Sequence, residues 1–340
     1  MATRTNRMWK LVERPVGTFK TTDFAWAEEP VPALADGQVI VRQIYLSLDP
    51  ASRGWASDVP TYLPPVRLGT PMRGYGVGIV EESRHPGFRP GDYVQGMLQW
   101  QLFTVSDGAG LHRFERAPGL PLEAYPAVFS FIGATAYFGL VDIGRPMSGE
   151  TLVVSAAAGA VGSLVGQIGK ALGCRVVGIA GGEEKCRWLT GELGFDGAVD
   201  YKRGPVRPRL AQQCPKGIDI YFDNVGGEML DAALSLINLH GRVVACGFIS
   251  QYSGLQPPAP LRYLIHVVTR RVRLEGFIVL DYAERFPEAF AALGRWMAEG
   301  KLRYRADVVE GLEQAPVAVN RLFDGRNVGK LLVKVSDEPA

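Results

Sequence analysis

The segment from Thr151 to Ala180 constrains the fold more than any other part of this 340-residue chain. Thr151–Ser155 is an apolar run of strand length, Ala160–Leu172 has helical character, and Arg175–Ala180 is a second apolar run. Between the first two stands Ala156-Ala157-Ala158-Gly159-Ala160-Val161-Gly162. Residues this small let a backbone turn tightly and approach a pyrophosphate, whose charge the N-terminus of the next helix meets. Ala156 stands where the commoner fingerprint has its first glycine, so the stretch also suits a plain turn packing a helix on a sheet. Its place inside a strand–helix–strand unit favours a dinucleotide held at Gly159, Ala160, Val161 and Gly162.

The alternation continues beyond that unit. Glu183–Leu193 reads as a helix with Leu189 and Leu193 on one face, and Gly217–Asp223 and Gly241–Cys246 as strands around a helical Met229–Leu236. Such alternation argues for a doubly wound parallel sheet. The first third differs: short runs such as Val39–Val41, Val77–Val80 and Tyr93–Leu98 lie between turn signals like Phe88-Arg89-Pro90-Gly91-Asp92. That spacing predicts a mostly β domain. Lys330–Val335 reads as a final strand returning to it. The expected class is α/β in two domains, which also suits the length.

The end of the second strand bears on the cofactor. An acid usually stands about twenty residues past the turn to hold a ribose 2′-hydroxyl. Here the strand ends Ile179-Ala180-Gly181-Gly182, followed by Glu183, Glu184, Lys185 and Arg187. A missing strand-end acid beside cations favours a 2′-phosphate, hence NADP. Acids in a first helical turn also suit any helix dipole, so an ordinary helix start stays open.

Charge excludes one class of partner. Lys and Arg number 37 and Asp and Glu 35, a net charge of +2 that supplies no field for gripping nucleic acid. Met1–Leu11 lacks the apolar core of a secretory signal. The most apolar stretch, Thr151–Ile168, carries Gly159, Gly162 and Gly166 and reads as a buried strand and helix, not a membrane span. Cys174, Cys186, Cys214 and Cys246 are widely spaced, implying neither a disulfide framework nor a zinc ribbon. A soluble, cytoplasmic protein is expected.

Further motifs run the length of the chain: Leu48-Asp49-Pro50 with Arg53-Gly54, Pro71-Met72-Arg73-Gly74, and Gly133 to Leu140. Ser155–Gly162, Ala180-Gly181 with Glu184-Lys185, Tyr221–Glu228, Cys246-Gly247 with Ile249–Tyr252, and Asn327–Lys330 complete the set. Together they resemble the zinc-independent medium-chain dehydrogenase/reductase superfamily. The branch is that of prostaglandin and leukotriene reductases, alkenal double-bond reductases and NADPH-dependent curcumin reductases.

The resemblance implies a GroES-like β domain over residues 1–128 with a C-terminal return over 306–340, a Rossmann domain over 129–305, and a homodimer. It implies that Lys185 and Tyr201 hold the 2′-phosphate of NADP. Thr135, Asn224, Asn327, Cys246, Gly247 and Ile249 would surround the cofactor, with Phe277 and Val279 on the nicotinamide side. Tyr252 would sit near the nicotinamide ribose and the substrate carbonyl. Many relatives have Asp-Pro-Tyr-Met-Arg-Gly where this chain has Asp49-Pro50-Ala51-Ser52-Arg53-Gly54. With the aromatic lost from a loop expected at the pocket, Tyr62 and Trp55 are candidate replacements, Tyr62 joining Tyr252 as a catalytic candidate. Aromatics packing inside the β domain are the equal alternative.

What is missing narrows the chemistry. Zinc-dependent alcohol dehydrogenases of the superfamily have Gly-His-Glu about where Gly74-Tyr75-Gly76 stands here. The first 150 residues hold no cysteine, and His85 and His112 stand in turn-like contexts. They, with His240 and His266, read as surface or packing residues, so no metal is expected. Neither a Gly-x-Ser-x-Gly elbow nor a phosphate loop is present. The expected activity is hydride addition to the β-carbon of an α,β-unsaturated ketone or aldehyde, with the developing enolate stabilised by hydrogen bonds, Tyr252 the candidate donor. A quinone reductase and a non-catalytic NADPH-binding protein are the alternatives.

Overall fold

In the computed structural model, which describes residues 4–59, 61–252 and 260–339, the chain divides into two compact units. One comprises Met1–Pro126 with Ala306–Ala340, the other Ala127–Arg305.

The first unit is built on antiparallel strands. β1 (Thr5–Leu11) lies between β2 (Phe24–Pro30) and β4 (Thr70–Pro71) in a three-stranded sheet. β3 (Val39–Ser47) is the long spine of a second sheet with β5 (Gly76–Ser83), β6 (Tyr93–Gly96), β7 (Phe103–Ser106) and β8 (His112–Phe114). Trp9, Leu11, Phe24, Trp55 and Trp100 are buried together in its core. β1 alternates exposed and buried residues at its start, whereas β3 is buried at all but Arg42.

The second unit holds β9 (Thr151–Val154), β10 (Arg175–Ala180), β11 (Gly197–Asp200), β12 (Ile218–Asp223), β13 (Ile237–Ala245) and β14 (Arg273–Gly276). All neighbours in this sheet run parallel, in the order β11-β10-β9-β12-β13-β14. Helices cover its strands, which is why β9 is buried at every residue and reads as a continuous apolar run. The helix Ala160–Ala171 buries Leu164, Val165 and Ile168 beside β9. The helix expected over Glu183–Leu193 stops at Gly191, because the chain turns through Gly194 at φ 71°. Leu189 and Leu193 are both buried all the same.

The chain then returns to the first unit as β15 (Ala306–Glu310) and β16 (Lys330–Lys334). β16 pairs antiparallel with β3, Leu332 opposite Ser47. An antiparallel β domain and a Rossmann-like parallel domain are thus the fold class expected from sequence. Among the described residues, Ala124–Gly144 is the helix with the length and apolarity of a membrane span. Of its apolar window 67% is buried, and Ala134 and Phe138 pack there against Ala289.

Candidate functional site

The order of strands reverses between β9 and β12, which lie side by side with Val153 opposite Tyr221. In a doubly wound sheet the crevice outside the C-terminal ends of such a pair is where a ligand is received. The Ala156–Gly162 turn leaves β9 at that point. Ala156 takes a left-handed φ of 46° and is exposed, and its carbonyl accepts the Gly159 N–H at 2.9 Å. A Cβ on Gly162 would lie 2.5 Å from that same carbonyl and 2.9 Å from Ala157 Cα. The turn therefore admits no side chain at Gly162, and Ala160 and Val161 begin the helix at its mouth. Backbone and helix N-terminus converge here as an anion requires.

At the ends of β10 and β11 a second set gathers. Asp200 accepts the N–H groups of Gly182 at 2.8 Å and Lys202 at 3.0 Å. Burial pushes its carboxyl up, but those two donors and the nearby Arg203 and Arg209 outweigh it and hold Asp200 below the usual carboxylate range. The acid at this edge is thus engaged by backbone. Tyr201 follows it, its ring against Gly181, and Lys185 lies half-buried in the first turn of Glu183–Gly191. A cavity of about 230 Å³ at the β11 edge, lined in part by Glu183, Cys186, Arg203 and Arg209, includes neither Lys185 nor Tyr201.

On the other side of the reversal, Asn224 follows β12. Its side-chain Nδ2 donates to the Ser155 carbonyl at 2.8 Å, and its N–H to the Ser155 hydroxyl at 2.8 Å. The loop after β13 carries Cys246, Gly247, Ile249 and Tyr252. The Ile249 N–H donates to the Asn224 carbonyl at 3.2 Å, and the Tyr252 hydroxyl lies 3.1 Å from where a Gly247 Cβ would be. Burial pushes the Cys246 thiol up to about 12, Asp223 adding to it, so this cysteine is no thiolate at neutral pH.

The structure thus gathers the turn residues, Asn224, Cys246, Gly247, Ile249 and Tyr252 at the C-terminal ends of β9, β12 and β13. Thr135 lies in the helix Phe131–Phe138, its hydroxyl donating to the Phe131 carbonyl at 2.6 Å. Phe277 and Val279 follow β14, the Phe277 ring edge-on to Tyr282. Tyr62 and Asn327 belong to the β unit, Tyr62 at 48% exposure and Asn327 buried with its Nδ2 on the Gly329 carbonyl at 3.2 Å.

Of the two readings of Trp55, packing inside the β domain is the one found: it is buried in the β core, where Leu11, Leu48 and Val66 belong to the same cluster. Ser52 is buried too, its hydroxyl turned back onto the Asp49 carbonyl at 2.6 Å, and Arg53 is buried on the carbonyls of Pro15 and Gly17 at 2.7 Å each. These bonds tie the helical turn into its own unit. His112 opens β8 rather than lying in a turn.

Among the described residues, no three of His, Cys, Asp and Glu come together as a metal site. Ser155 and Asp223 lie inside the motifs Ser155–Gly162 and Tyr221–Glu228, and the sequence alone gives neither a role. The available signal was an acid closing the apolar strand Ile218–Phe222.

Comparison with known proteins places this geometry among others. A family described as "N-terminal domain of oxidoreductase" matches residues 7–114, and one described as "Zinc-binding dehydrogenase" matches residues 160–295. The chain is 45% identical to the NADPH-dependent curcumin reductase of Escherichia coli over 98% of each chain. It is 42% identical to the 2-alkenal reductase (NADP(+)-dependent) of Nicotiana tabacum over 88% of each. The structure of CurA from Vibrio vulnificus in complex with NADPH superposes with a TM-score of 0.93 at 42% identity, covering 98% of this chain and 100% of that one.

Proposed function

Because this chain belongs to the medium-chain dehydrogenase/reductase superfamily, in its branch of curcumin, alkenal and prostaglandin reductases, we propose that it reduces the conjugated C=C bond of α,β-unsaturated ketones and aldehydes with NADPH. The observation that carries the reading is the turn at the β9/β12 reversal, where Gly162 has no room for a Cβ and Ala156 is held left-handed. That cradle fits a dinucleotide pyrophosphate, with Lys185 and Tyr201 at the 2′-phosphate end and Asn224, Cys246, Gly247 and Ile249 along the other. Thr135, Phe277 and Val279 complete the nicotinamide side.

Bound NADPH supplies a hydride to the electrophilic β-carbon of the enone. The chain's task is then the charge that develops on the carbonyl oxygen, for which Tyr252 is the hydrogen-bond donor. With no metal invoked, that donor favours addition to the β-carbon, where conjugation delivers the charge to oxygen, over direct reduction of the carbonyl. The α-carbon afterwards takes its proton from solvent.

The protein's relatives support the cofactor, and two finer readings rest on its own surface. β14 is an edge strand, and Leu264, Ile265, Val268 and Leu274 beside or on it are exposed. A second copy pairing there would cover them, giving a homodimer. The four cysteines are unpaired, which suits the reducing cytoplasm.

The test is NADPH labelled with deuterium at C4, offered with an alkenal, a ring enone and a benzoquinone. Deuterium at the β-carbon of a saturated ketone is the expected result, with Tyr252→Phe slowing its formation. Label at the carbonyl carbon would overturn the proposed step, and turnover of the quinone alone would favour quinone reduction.

A further inference from the structure

We propose that Asp223 is a positioning residue, setting the turn that bears Asn224 and, through it, the loop that bears Tyr252; this rests on the reductase reading above. Asp223 closes β12 and is wholly buried. A single carboxylate oxygen, Oδ1, accepts four hydrogen bonds. Two come from the hydroxyls of Ser155 and Tyr221 at 3.0 Å each, and two from the N–H groups of Val225 at 3.0 Å and Gly226 at 2.9 Å. The other oxygen, Oδ2, is buried and meets no donor.

Leaving one buried oxygen unmatched is costly. An acid present only to fill the core would be better replaced by an apolar group of its size. Four donors on one atom instead fix where that atom sits and, with it, the backbone of residues 225 and 226. The Ser155 hydroxyl spends its hydrogen on Asp223, which leaves its lone pairs for the Asn224 N–H at 2.8 Å. Burial pushes the Asp223 carboxyl up while the four donors pull it back, so the group is sensitive to each of them.

The clamped turn is also the rack for the next loop. The Asp223 carbonyl accepts the N–H groups of Cys246 at 3.0 Å and Gly247 at 3.1 Å. The Asn224 carbonyl accepts from Ile249, and the Val225 carbonyl accepts both the N–H and the hydroxyl of Ser250, at 3.2 and 2.6 Å. Any shift of residues 224–226 therefore moves the anchors that lie two to three residues before Tyr252.

The experiment uses the full chain with Asp223→Asn, Ser155→Ala and Tyr221→Phe. Each variant's thermal midpoint, its affinity for NADPH and NADH by fluorescence titration, and its kcat and KM with but-3-en-2-one are measured. Folded Asp223→Asn should bind both cofactors about tenfold more weakly, by the same factor for each, as expected when one charge-assisted hydrogen bond is weakened. Its kcat should fall as well. In a Tyr252→Phe background that further loss of kcat should shrink to within about twofold, since residues acting as a unit are not additive. Ser155→Ala and Tyr221→Phe should follow in the same direction. Unchanged affinity and kcat in folded Asp223→Asn, or losses that multiply independently with Tyr252→Phe, would overturn the proposal. If Asp223→Asn does not fold, wild-type binding and turnover in both other variants would do the same. A wild-type protein that binds NADPH yet reduces no enone would overturn the reductase reading alone, because the cofactor titrations still decide the role of Asp223.

Discussion

The ring of Tyr201 occupies the space that a side chain on Gly181 would need. A Cβ there would lie 2.8 Å from Cε1, Cζ and the hydroxyl oxygen of the tyrosine. Gly181 follows the second strand of its unit and Tyr201 follows the third, so two distant turns meet at one point. Tyr201 is 37% exposed and the end of its ring is what must give way, so Gly181→Ala should cost about 1 kcal/mol or less. The displaced ring should nonetheless lower the preference for NADPH over NADH. An unchanged ratio of the two dissociation constants would show that the ring plays no part in the 2′-phosphate site.

Lys185→Ala should weaken NADPH far more than NADH. A charge-assisted hydrogen bond is worth roughly 1.5–3 kcal/mol, about ten- to a hundredfold in affinity. Titrating both cofactors into wild type and variant checks this, and an equal loss for both would mean that Lys185 acts on something other than the phosphate. The contrast with Asp223→Asn, for which equal losses are expected, separates the two ends of the crevice.

Ala156 offers a test of strain. Its φ of 46° is a conformation that costs an L-residue roughly 1–2 kcal/mol. Glycine would be relieved of that strain while losing roughly 0.5–1 kcal/mol to chain entropy. Ala156→Gly should therefore leave the free protein as stable or stabilise it, by up to about 1.5 kcal/mol, whereas Ala157→Gly, at a buried position, should destabilise it. Urea unfolding of both variants decides it, and parallel losses would place no strain at Ala156.

In the β unit, Lys330 is buried with Asp49, Nζ to Oδ1 at 2.6 Å, and also donates to the Leu48 carbonyl at 2.9 Å. Burial lowers the Lys330 pKa, and the aspartate restores only part of it. Lys330→Met should cost about 3–5 kcal/mol, because it leaves the Asp49 carboxylate buried without its cation. Adding Asp49→Asn should recover a large part of that loss. Additive losses in the double variant would show that the pair is not coupled.

How much of this could be read from the chain alone follows from the range of the forces involved. The apolar run Thr151–Val154, the small residues after it and the helix Ala160–Ala171 are adjacent in sequence, and side-chain size and hydrophobic period act locally. They sufficed to place a tight turn between strand and helix, and motifs such as Tyr221–Glu228 and Asn327–Lys330 added the family. One choice the sequence left open, whether Trp55 lines a surface or fills the β core, needed the fold, because burial depends on what distant segments cover; Trp55 turns inward, as Ser52 does.

The roles of single atoms were beyond the sequence. Ser155 and Asp223 are 68 positions apart and meet only because β9 and β12 pair in parallel, which strand order decides and composition does not. An acid at the end of an apolar strand could equally have faced solvent or a ligand. By itself the sequence determined the strand–helix alternation around Thr151–Ala180, the tight small-residue turn within it and the absence of a zinc motif, because these rest on neighbouring residues. Only the tertiary structure decided that Asp223 points one oxygen at four donors, that Tyr201 fills the space over Gly181, and that Ala156 is held left-handed. Those are set by contacts between segments far apart in the chain, whose geometry the packed sheet alone enforces.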